Sequence, residues 1–160
     1  MSSKTLVAYF SATGTTARAA RRLAEAVGAD IYEIRPAVPY TRADLNWSDS
    51  KSRSTLEAHD AACRPAIAGE PVDLSGYGTV FVCFPIWWYT APRIIQSFLE
   101  SHDFAGKRVV PFATSGGSGL GRTAEALRVS CPSAEVLPGR LLNGGSSDGE
   151  LKKWAESAIG

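Results

Sequence analysis

Short apolar segments bounded by turn residues alternate along this sequence with longer segments in which apolar residues recur every three or four positions. The short segments predict five β-strands, at residues 5–10, 31–34, 79–84, 108–113 and 135–137. The longer segments predict helices at residues 16–27, 49–62, 91–100 and 120–129, and a last helix from about residue 147. Two of the strands are almost continuously apolar, which is typical of strands covered by helices on both faces. The alternation therefore predicts an α/β fold with a parallel sheet.

The length of the chain, 160 residues, is that of one domain. The alternation is interrupted at residues 36–73, a segment that is too long for a simple crossover and contains prolines at positions 36, 39, 65 and 71. We expect two loops there, on either side of the helix at residues 49–62. The sequence thus predicts a single domain over residues 1–160 with a long insertion at about residues 36–73.

The composition excludes several classes of protein. Lys and Arg total 17 and Asp and Glu total 16, for a formal net charge of +1, so nothing indicates a nucleic-acid-binding surface. No apolar run approaches the roughly 20 residues of a membrane span, and the apolar run near the N-terminus is too short for a signal peptide. The three cysteines are far apart and show no metal-ligand spacing. We therefore expect a cytoplasmic protein with no membrane span and no metal site.

The residues directly after the first predicted strand carry candidate chemistry, because ligands of open parallel sheets bind at the carboxyl ends of the strands. Residues 11–16, Ser-Ala-Thr-Gly-Thr-Thr, lead straight into a helix. Hydroxyl groups, a glycine and the free N–H groups of a helix start together form a cradle for an anion. No Lys or Arg lies in the loop, which favours a single phosphate over a nucleoside triphosphate. An ordinary Ser/Thr helix cap is the alternative.

Two further loops follow the third and fourth strands. Residues 84–92 place three aromatic residues between two prolines, which suits a wall against a flat ring, or else a core plug or a subunit interface. Residues 114–119 are Thr-Ser-Gly-Gly-Ser-Gly, and so few side chains let the backbone N–H groups approach a heteroaromatic edge or a phosphate closely. The alternative is that this segment is merely flexible. In a sheet of order 2-1-3-4-5 the first, third and fourth strands are neighbours, so the three loops are predicted to converge on one crevice.

Together these loops resemble those of the flavodoxin-like family, and the resemblance runs from Leu6 through the last helix. The Ser-Ala-Thr-Gly-Thr-Thr loop is similar to the flavodoxin loop for the FMN phosphate. The Pro-Ile-Trp-Trp and Thr-Ser-Gly-Gly-Ser-Gly segments resemble the second and third flavin loops of a bacterial subgroup. The resemblance implies FMN as the cofactor and a flavodoxin-like three-layer sandwich, in which a five-stranded parallel sheet of order 2-1-3-4-5 lies between two helical layers.

The resemblance also implies which residues contact the cofactor. Hydroxyl and main-chain N–H groups of the first loop would hold the phosphate, at Ser11, Thr13, Gly14, Thr15 and Thr16. The second loop would line the isoalloxazine ring, at Pro85, Ile86, Trp87 and Trp88. The third loop would bond the pyrimidine edge, at Thr114, Ser115, Gly116 and Gly117. No side chain is required as a catalytic base.

Two departures from typical flavodoxins bear on function. Electron-carrying flavodoxins are strongly acidic, which helps them to dock on basic partners, whereas this chain has a net charge of +1. They also usually stack a tyrosine of the third loop on the outer face of the flavin, and residues 114–119 include no aromatic residue. One face of the ring is then open, unless an aromatic residue of the insertion, such as Tyr40 or Trp47, covers it.

The sequence therefore predicts an FMN-binding redox protein that transfers electrons through its bound flavin. The alternative is an FMN-dependent NAD(P)H oxidoreductase that reduces quinones or similar small acceptors. The expected partners are a redox partner protein, or NAD(P)H with a small acceptor, and the chain is expected to be a monomer or a homodimer. A phosphoacceptor module of the same fold is disfavoured, because Ser11, Ala12 and Pro85 stand where it needs acidic residues.

Overall fold

Strands and helices alternate along the chain in a computed structural model that describes residues 4–12, 14–46, 48–60, 62–87, 91–114, 123–142 and 147–159. The strands are β1 Lys4–Tyr9, β2 Asp30–Glu33, β3 Tyr77–Pro85, β4 Arg108–Thr114, β5 Glu135–Val136 and β6 Arg140–Leu142. The helices are α1 Thr15–Val27, α2 Arg53–Ala58, α3 Arg93–Glu100, α4 Thr123–Ser130 and α5 Asp148–Ile159. No helix within these ranges has the length and apolar character needed to cross a membrane.

The sheet has the predicted topology. Its strands lie in the order β2-β1-β3-β4-β5, and each neighbouring pair runs parallel. Parallel neighbours need crossover connections, which the helices between the strands provide. The predicted α/β fold, with a flavodoxin-like five-stranded parallel sheet of order 2-1-3-4-5, is therefore confirmed.

The fifth strand position is divided into β5 and β6, a break that the apolar pattern does not predict. Both segments pair with β4, on either side of Pro111. The N–H of Leu137 donates to the carbonyl of Val109 at 2.9 Å, so Pro111, two residues further along β4, faces the same edge. Proline has no N–H to donate, and the pairing stops beside it. Gly139 passes so close that an added Cβ would lie 2.5 Å from the Pro111 carbonyl oxygen.

Both faces of the sheet are buried, because successive residues of a strand point to opposite sides and helices cover each side. The core between one face and the helices α3 and α4 includes the fully buried side chains of Phe10, Phe84, Ile94, Phe98 and Leu127. The core between the other face and the helices α1 and α5 includes Val7, Leu23, Phe81, Phe112 and Leu151. Each such side chain contributes about 1.5–3 kcal/mol by its removal from water. The two-sided burial accounts for the continuously apolar strands and leaves their ends as the place for polar chemistry.

The helix of the insertion is shorter than the predicted 49–62. It spans only Arg53–Ala58, because aspartates near both ends hydrogen-bond to the local backbone. The Asp49 carboxylate accepts from the N–H of Lys51 at 2.9 Å, and the Asp60 carboxylate accepts from the N–H of Ala62 at 3.0 Å. Such local bonds compete with helical hydrogen bonds and favour turns.

Two of the contacts that hold the insertion in place join its two ends to each other and its helix to α3. An isolated antiparallel bridge joins Pro36 to Ile67, near the two ends of the segment. At the first turn of α3, the guanidinium of Arg93 donates to the carbonyls of Glu57 and Ala58, at 3.2 and 2.8 Å. These carbonyls lie at the C-terminal end of α2, where they have no partner within the helix. The insertion is thereby tied to the helix that follows the second candidate loop.

We predict that Gly139→Ala destabilises the protein more than the matched variant Gly28→Ala. Both glycines have left-handed backbone, with φ of +82° and +66°, so alanine costs about 1 kcal/mol at either position through backbone conformation alone. Only at Gly139 does the new Cβ collide with Pro111, since nothing lies within 4 Å at Gly28. Chemical denaturation measures the two free energies of unfolding. Equal losses would contradict the close approach of the two strand segments to β4.

Candidate functional site

The three candidate loops leave the sheet at adjacent positions. The N–H of Phe10, at the end of β1, donates to the carbonyl of Cys83 in β3 at 3.0 Å. The N–H of Ile86, just after β3, donates to the carbonyl of Thr114 at the end of β4 at 2.9 Å. Backbone hydrogen bonds therefore join neighbouring strands up to the residues where the loops begin, and the loop bases line one edge of the sheet.

The described part of the chain covers most of the candidate residues. It includes Ser11, Gly14, Thr15, Thr16, Pro85, Ile86, Trp87 and Thr114. Outside the described residues lie Thr13, Trp88, Ser115, Gly116 and Gly117, and also Trp47 of the insertion. The roles implied for these residues stay predictions.

The loop after β1 turns tightly into α1 around a glycine. Ser11 Oγ accepts a hydrogen bond from the N–H of Gly14 at 3.0 Å. Gly14 is the N-cap residue of α1, with φ of +95°, and no side chain of the described residues caps the helix. The first turn of α1 contains no acidic residue. The N-cap residue is therefore a glycine, and not the Ser or Thr of an ordinary helix cap. The positive end of the helix is left open to an anion.

Arg18 is a cation near this loop that the sequence analysis missed. It lies in the first turn of α1, and its Nη2 is 3.5 Å from Thr15 Oγ1. Its Nη1 is 3.4 Å from the position that a Cβ would take on Gly14. The signal in the sequence is helical spacing: Arg18 follows Thr15 by three positions and Gly14 by four, and a helical side chain at that spacing lies over the preceding turn. The loop has no basic residue of its own, but the helix provides one.

Thr16 and Thr114 connect the first loop to the third. Their Oγ1 atoms are 2.7 Å apart, and both residues are buried. The first stands in the opening turn of α1 and the second ends β4. The resemblance assigned these residues to opposite ends of FMN, the phosphate and the pyrimidine edge. A direct hydrogen bond between them depends on how the helix packs on the sheet, and the sequence pattern does not contain that information.

An aromatic cluster stands at the second loop. The ring of Trp87 packs edge-to-face against Phe10, with centroids 5.5 Å apart, and against Tyr40, with centroids 5.4 Å apart. Phe10 and Tyr40 are also in contact, at 5.6 Å. Edge-to-face pairs at these distances are favourable beyond the area that they bury. Tyr40 of the insertion is therefore part of the wall that supports Trp87.

Polar contacts within the insertion hold Tyr40 in this position. Its hydroxyl donates to the Glu57 carboxylate, which also accepts from Arg53 Nε at 2.8 Å. The Arg53 guanidinium lies over the Tyr40 ring, 3.8 Å from its centroid, as in a cation–π contact. Burial, followed by the hydrogen bond to Glu57, raises the pKa of the Tyr40 phenol far above its usual value. Tyr40 is consequently a neutral hydrogen-bond donor and not a base.

Other features of the described chain do not compete with this site. No group of three or more His, Cys, Asp or Glu side chains within it is placed to hold a metal ion. A cavity of about 410 Å³ lies beside residues 64–71 and the C-terminal end of α3, and none of the candidate residues lines it. Its charged groups include Arg64 and Glu100, which pair with each other at 2.9 Å. The three loops are the candidate functional site, because ligands of open parallel sheets bind at the carboxyl ends of the strands.

The known proteins that are similar to this chain are flavodoxins and other flavoproteins. The family model described as Flavodoxin matches residues 4–158. A candidate flavoprotein from Bacteroides eggerthii DSM 20697 is 50% identical over 99% of each chain, with a TM-score of 0.93. A second, from Bacteroides uniformis ATCC 8492, is 52% identical over 98% of this chain and 99% of that chain, with a TM-score of 0.91. A flavoprotein in complex with FMN from Lactobacillus acidophilus NCFM has the same fold at 19% identity, with a TM-score of 0.70 over 96% of this chain and 99% of that chain. No curated protein matches the sequence significantly.

We predict that Tyr40 stays protonated at pH values where ordinary tyrosines ionise, because burial and Glu57 favour its neutral form. An ultraviolet pH titration of the wild type and Tyr40→Phe should therefore give the same number of ionising phenols up to pH of about 11. Since the folded-state pKa lies above the unfolded one, the contribution to stability is complete below pH of about 10 and is lost as the pH rises further. One fewer phenol in the variant below pH of about 11 would contradict the buried contact with Glu57.

Proposed function

Because the chain belongs to the flavodoxin family, we propose that it is an FMN-binding redox protein that transfers electrons through its bound flavin. The proposal rests on one observation above all: the open N-terminus of α1 and the aromatic wall at Trp87 stand at adjacent strand ends. One is suited to a phosphate and the other to a flat ring. The cofactor supplies the electron chemistry, and the chain binds and orients it.

The described residues fit this cofactor. The N-terminus of α1 carries the partial positive charge of the helix dipole, and Arg18 adds a full positive charge beside Thr15. A phosphate held by Ser11, Gly14, Thr15 and Thr16, with Thr13, would therefore be stabilised electrostatically. Pro85, Ile86 and Trp87, with Trp88, would line the isoalloxazine ring. Thr114 ends β4 at the base of the third loop, and Ser115, Gly116 and Gly117, which follow it in the chain, would bond the pyrimidine edge. The FMN complex of the Lactobacillus acidophilus protein of similar fold supports the choice of cofactor.

The absence of acidic side chains from the described candidate residues favours a second candidate function, an FMN-dependent NAD(P)H oxidoreductase that reduces quinones or similar small acceptors. Among the candidate residues that the structure describes, none has an acidic or basic side chain. The chain as a whole has a net charge of +1. A polyanionic nicotinamide dinucleotide is thus not repelled, whereas a strongly acidic surface would repel it. Without a net acidic charge, the protein also lacks the electrostatic attraction by which typical flavodoxins dock on a basic redox partner.

Anaerobic stepwise reduction of the FMN-loaded protein separates these two functions. Visible absorption would follow the titration, with NADH and NADPH tried beside a chemical reductant. Reduction in two resolved one-electron steps, without a response to either nucleotide, supports an electron carrier that needs a protein partner. A single two-electron step driven by NADH or NADPH supports the oxidoreductase. Failure of the purified protein to bind FMN would contradict both proposals.

We predict that Arg18→Ala weakens FMN binding about threefold to tenfold and leaves riboflavin binding unchanged, because its guanidinium acts on the phosphate. The loss should shrink as the salt concentration rises, since Arg18 is exposed. Fluorescence titrations with FMN and riboflavin measure both affinities.

The matched control for this prediction is Arg21→Ala. Arg21 is an exposed arginine of the same helix, three positions further from the loop, so its removal changes the net charge equally. Equal losses of FMN affinity in the two variants would show that Arg18 acts only through the overall charge of the protein.

A further inference from the structure

The buried hydroxyl groups of Thr16 and Thr114 have two O–H donors, and only one of them can donate within the pair. Each threonine hydroxyl has one O–H donor and two acceptor lone pairs. With the two Oγ1 atoms 2.7 Å apart, one O–H lies between them and donates. The other O–H belongs to the accepting hydroxyl and points elsewhere. The hydrogen bonds found among the described residues give neither hydroxyl a second partner.

Bulk water does not readily satisfy this remaining hydrogen. Thr16 is 2% exposed and Thr114 is 7% exposed. A buried donor without an acceptor is unfavourable, so an acceptor supplied by a ligand at this place gains more than it would at an exposed hydroxyl. The pair stands at the bases of the first and third candidate loops, where a ligand of the crevice would supply such an acceptor.

The location of each threonine indicates which hydroxyl faces the ligand. Thr16 is the second residue after the N-cap Gly14, and side chains of a helix lean toward its N-terminus, where an anion binds. Thr114 continues the series of Val110 and Phe112, whose side chains pack in the layer of α1 and α5. Its hydroxyl thus approaches Thr16 from the sheet side. The hydroxyl of Thr16 is therefore the one that faces the ligand.

We propose that Thr114 is a positioning residue for the phosphate of the ligand. Its hydroxyl donates to Thr16 Oγ1, and this turns the O–H of Thr16 toward a phosphate-monoester oxygen at the N-terminus of α1. A phosphate dianion only accepts hydrogen bonds, so it selects this direction of the pair over the reverse one. The inference rests on the proposed function and deepens it. Thr114 serves phosphate recognition, although its loop resembles the one that contacts the pyrimidine edge.

Selective loss of FMN affinity in Thr114→Val tests the proposal. Without the donor, the O–H of Thr16 is no longer directed by a partner, so FMN affinity should fall about fivefold to tenfold while riboflavin affinity changes less than about twofold. Thr114→Ser keeps the hydroxyl and should restore most of the FMN affinity. The serine variant also serves as the folded reference if the valine variant is unstable. Fluorescence titrations of the full chain with the two flavins measure each affinity.

The double variant Thr16→Val/Thr114→Val tests the connection between the two residues. Because both substitutions interrupt the same chain of hydrogen bonds, the double variant should lose no more FMN affinity than Thr16→Val alone. Additive losses would overturn the proposal, and so would equal losses of FMN and riboflavin in Thr114→Val. A wild-type protein that binds neither flavin would instead overturn the proposed function, so the two failures are distinguishable.

Discussion

Helices cover both faces of the parallel sheet, and the central strands therefore meet solvent only at their ends. This burial requires strands such as Val80, Phe81, Val82, Cys83 and Phe84, all of which are fully buried. Such strands have no polar side chains to offer to a ligand. The polar residues come directly after them, where the strand order puts β1, β3 and β4 side by side. The location of the candidate site therefore follows from the burial of the core.

At that edge the loops are connected to each other as well as to the strands. Thr16 and Thr114 share a buried hydrogen bond between the first and third loops. Phe10, which directly precedes the first loop, packs against Trp87 of the second. Tyr40 brings the insertion into the same cluster, and its contact with Glu57 keeps it neutral. A change in one loop base thus affects packing or hydrogen bonding at another.

The strands and their order could be predicted from the sequence, because a sheet covered on both faces leaves continuous apolar runs and the helices between them impose parallel crossovers. The division of the fifth strand could not, since the effect of Pro111 depends on which edge of β4 its missing N–H faces. The helix of the insertion was predicted too long, because the pattern of apolar residues does not show the local bonds of Asp49 and Asp60.

The candidate site shows the same division between local and tertiary information. The loop around Gly14 could be predicted, because its residue types and its place before a helix are local properties. The approach of Arg18 to that loop follows from helical spacing and was available in the sequence. The packing of Tyr40 on Trp87 and the bond between the two threonines were not, since they join segments far apart in the chain.

A crystal structure of the protein with FMN tests most directly whether the crevice at the ends of β1, β3 and β4 is the flavin site. We expect the phosphate at the N-terminus of α1, within hydrogen-bond distance of Thr16 Oγ1 and the N–H groups around Gly14, with the ring beside Trp87. A flavin bound in the cavity beside residues 64–71, or elsewhere on the surface, would contradict it.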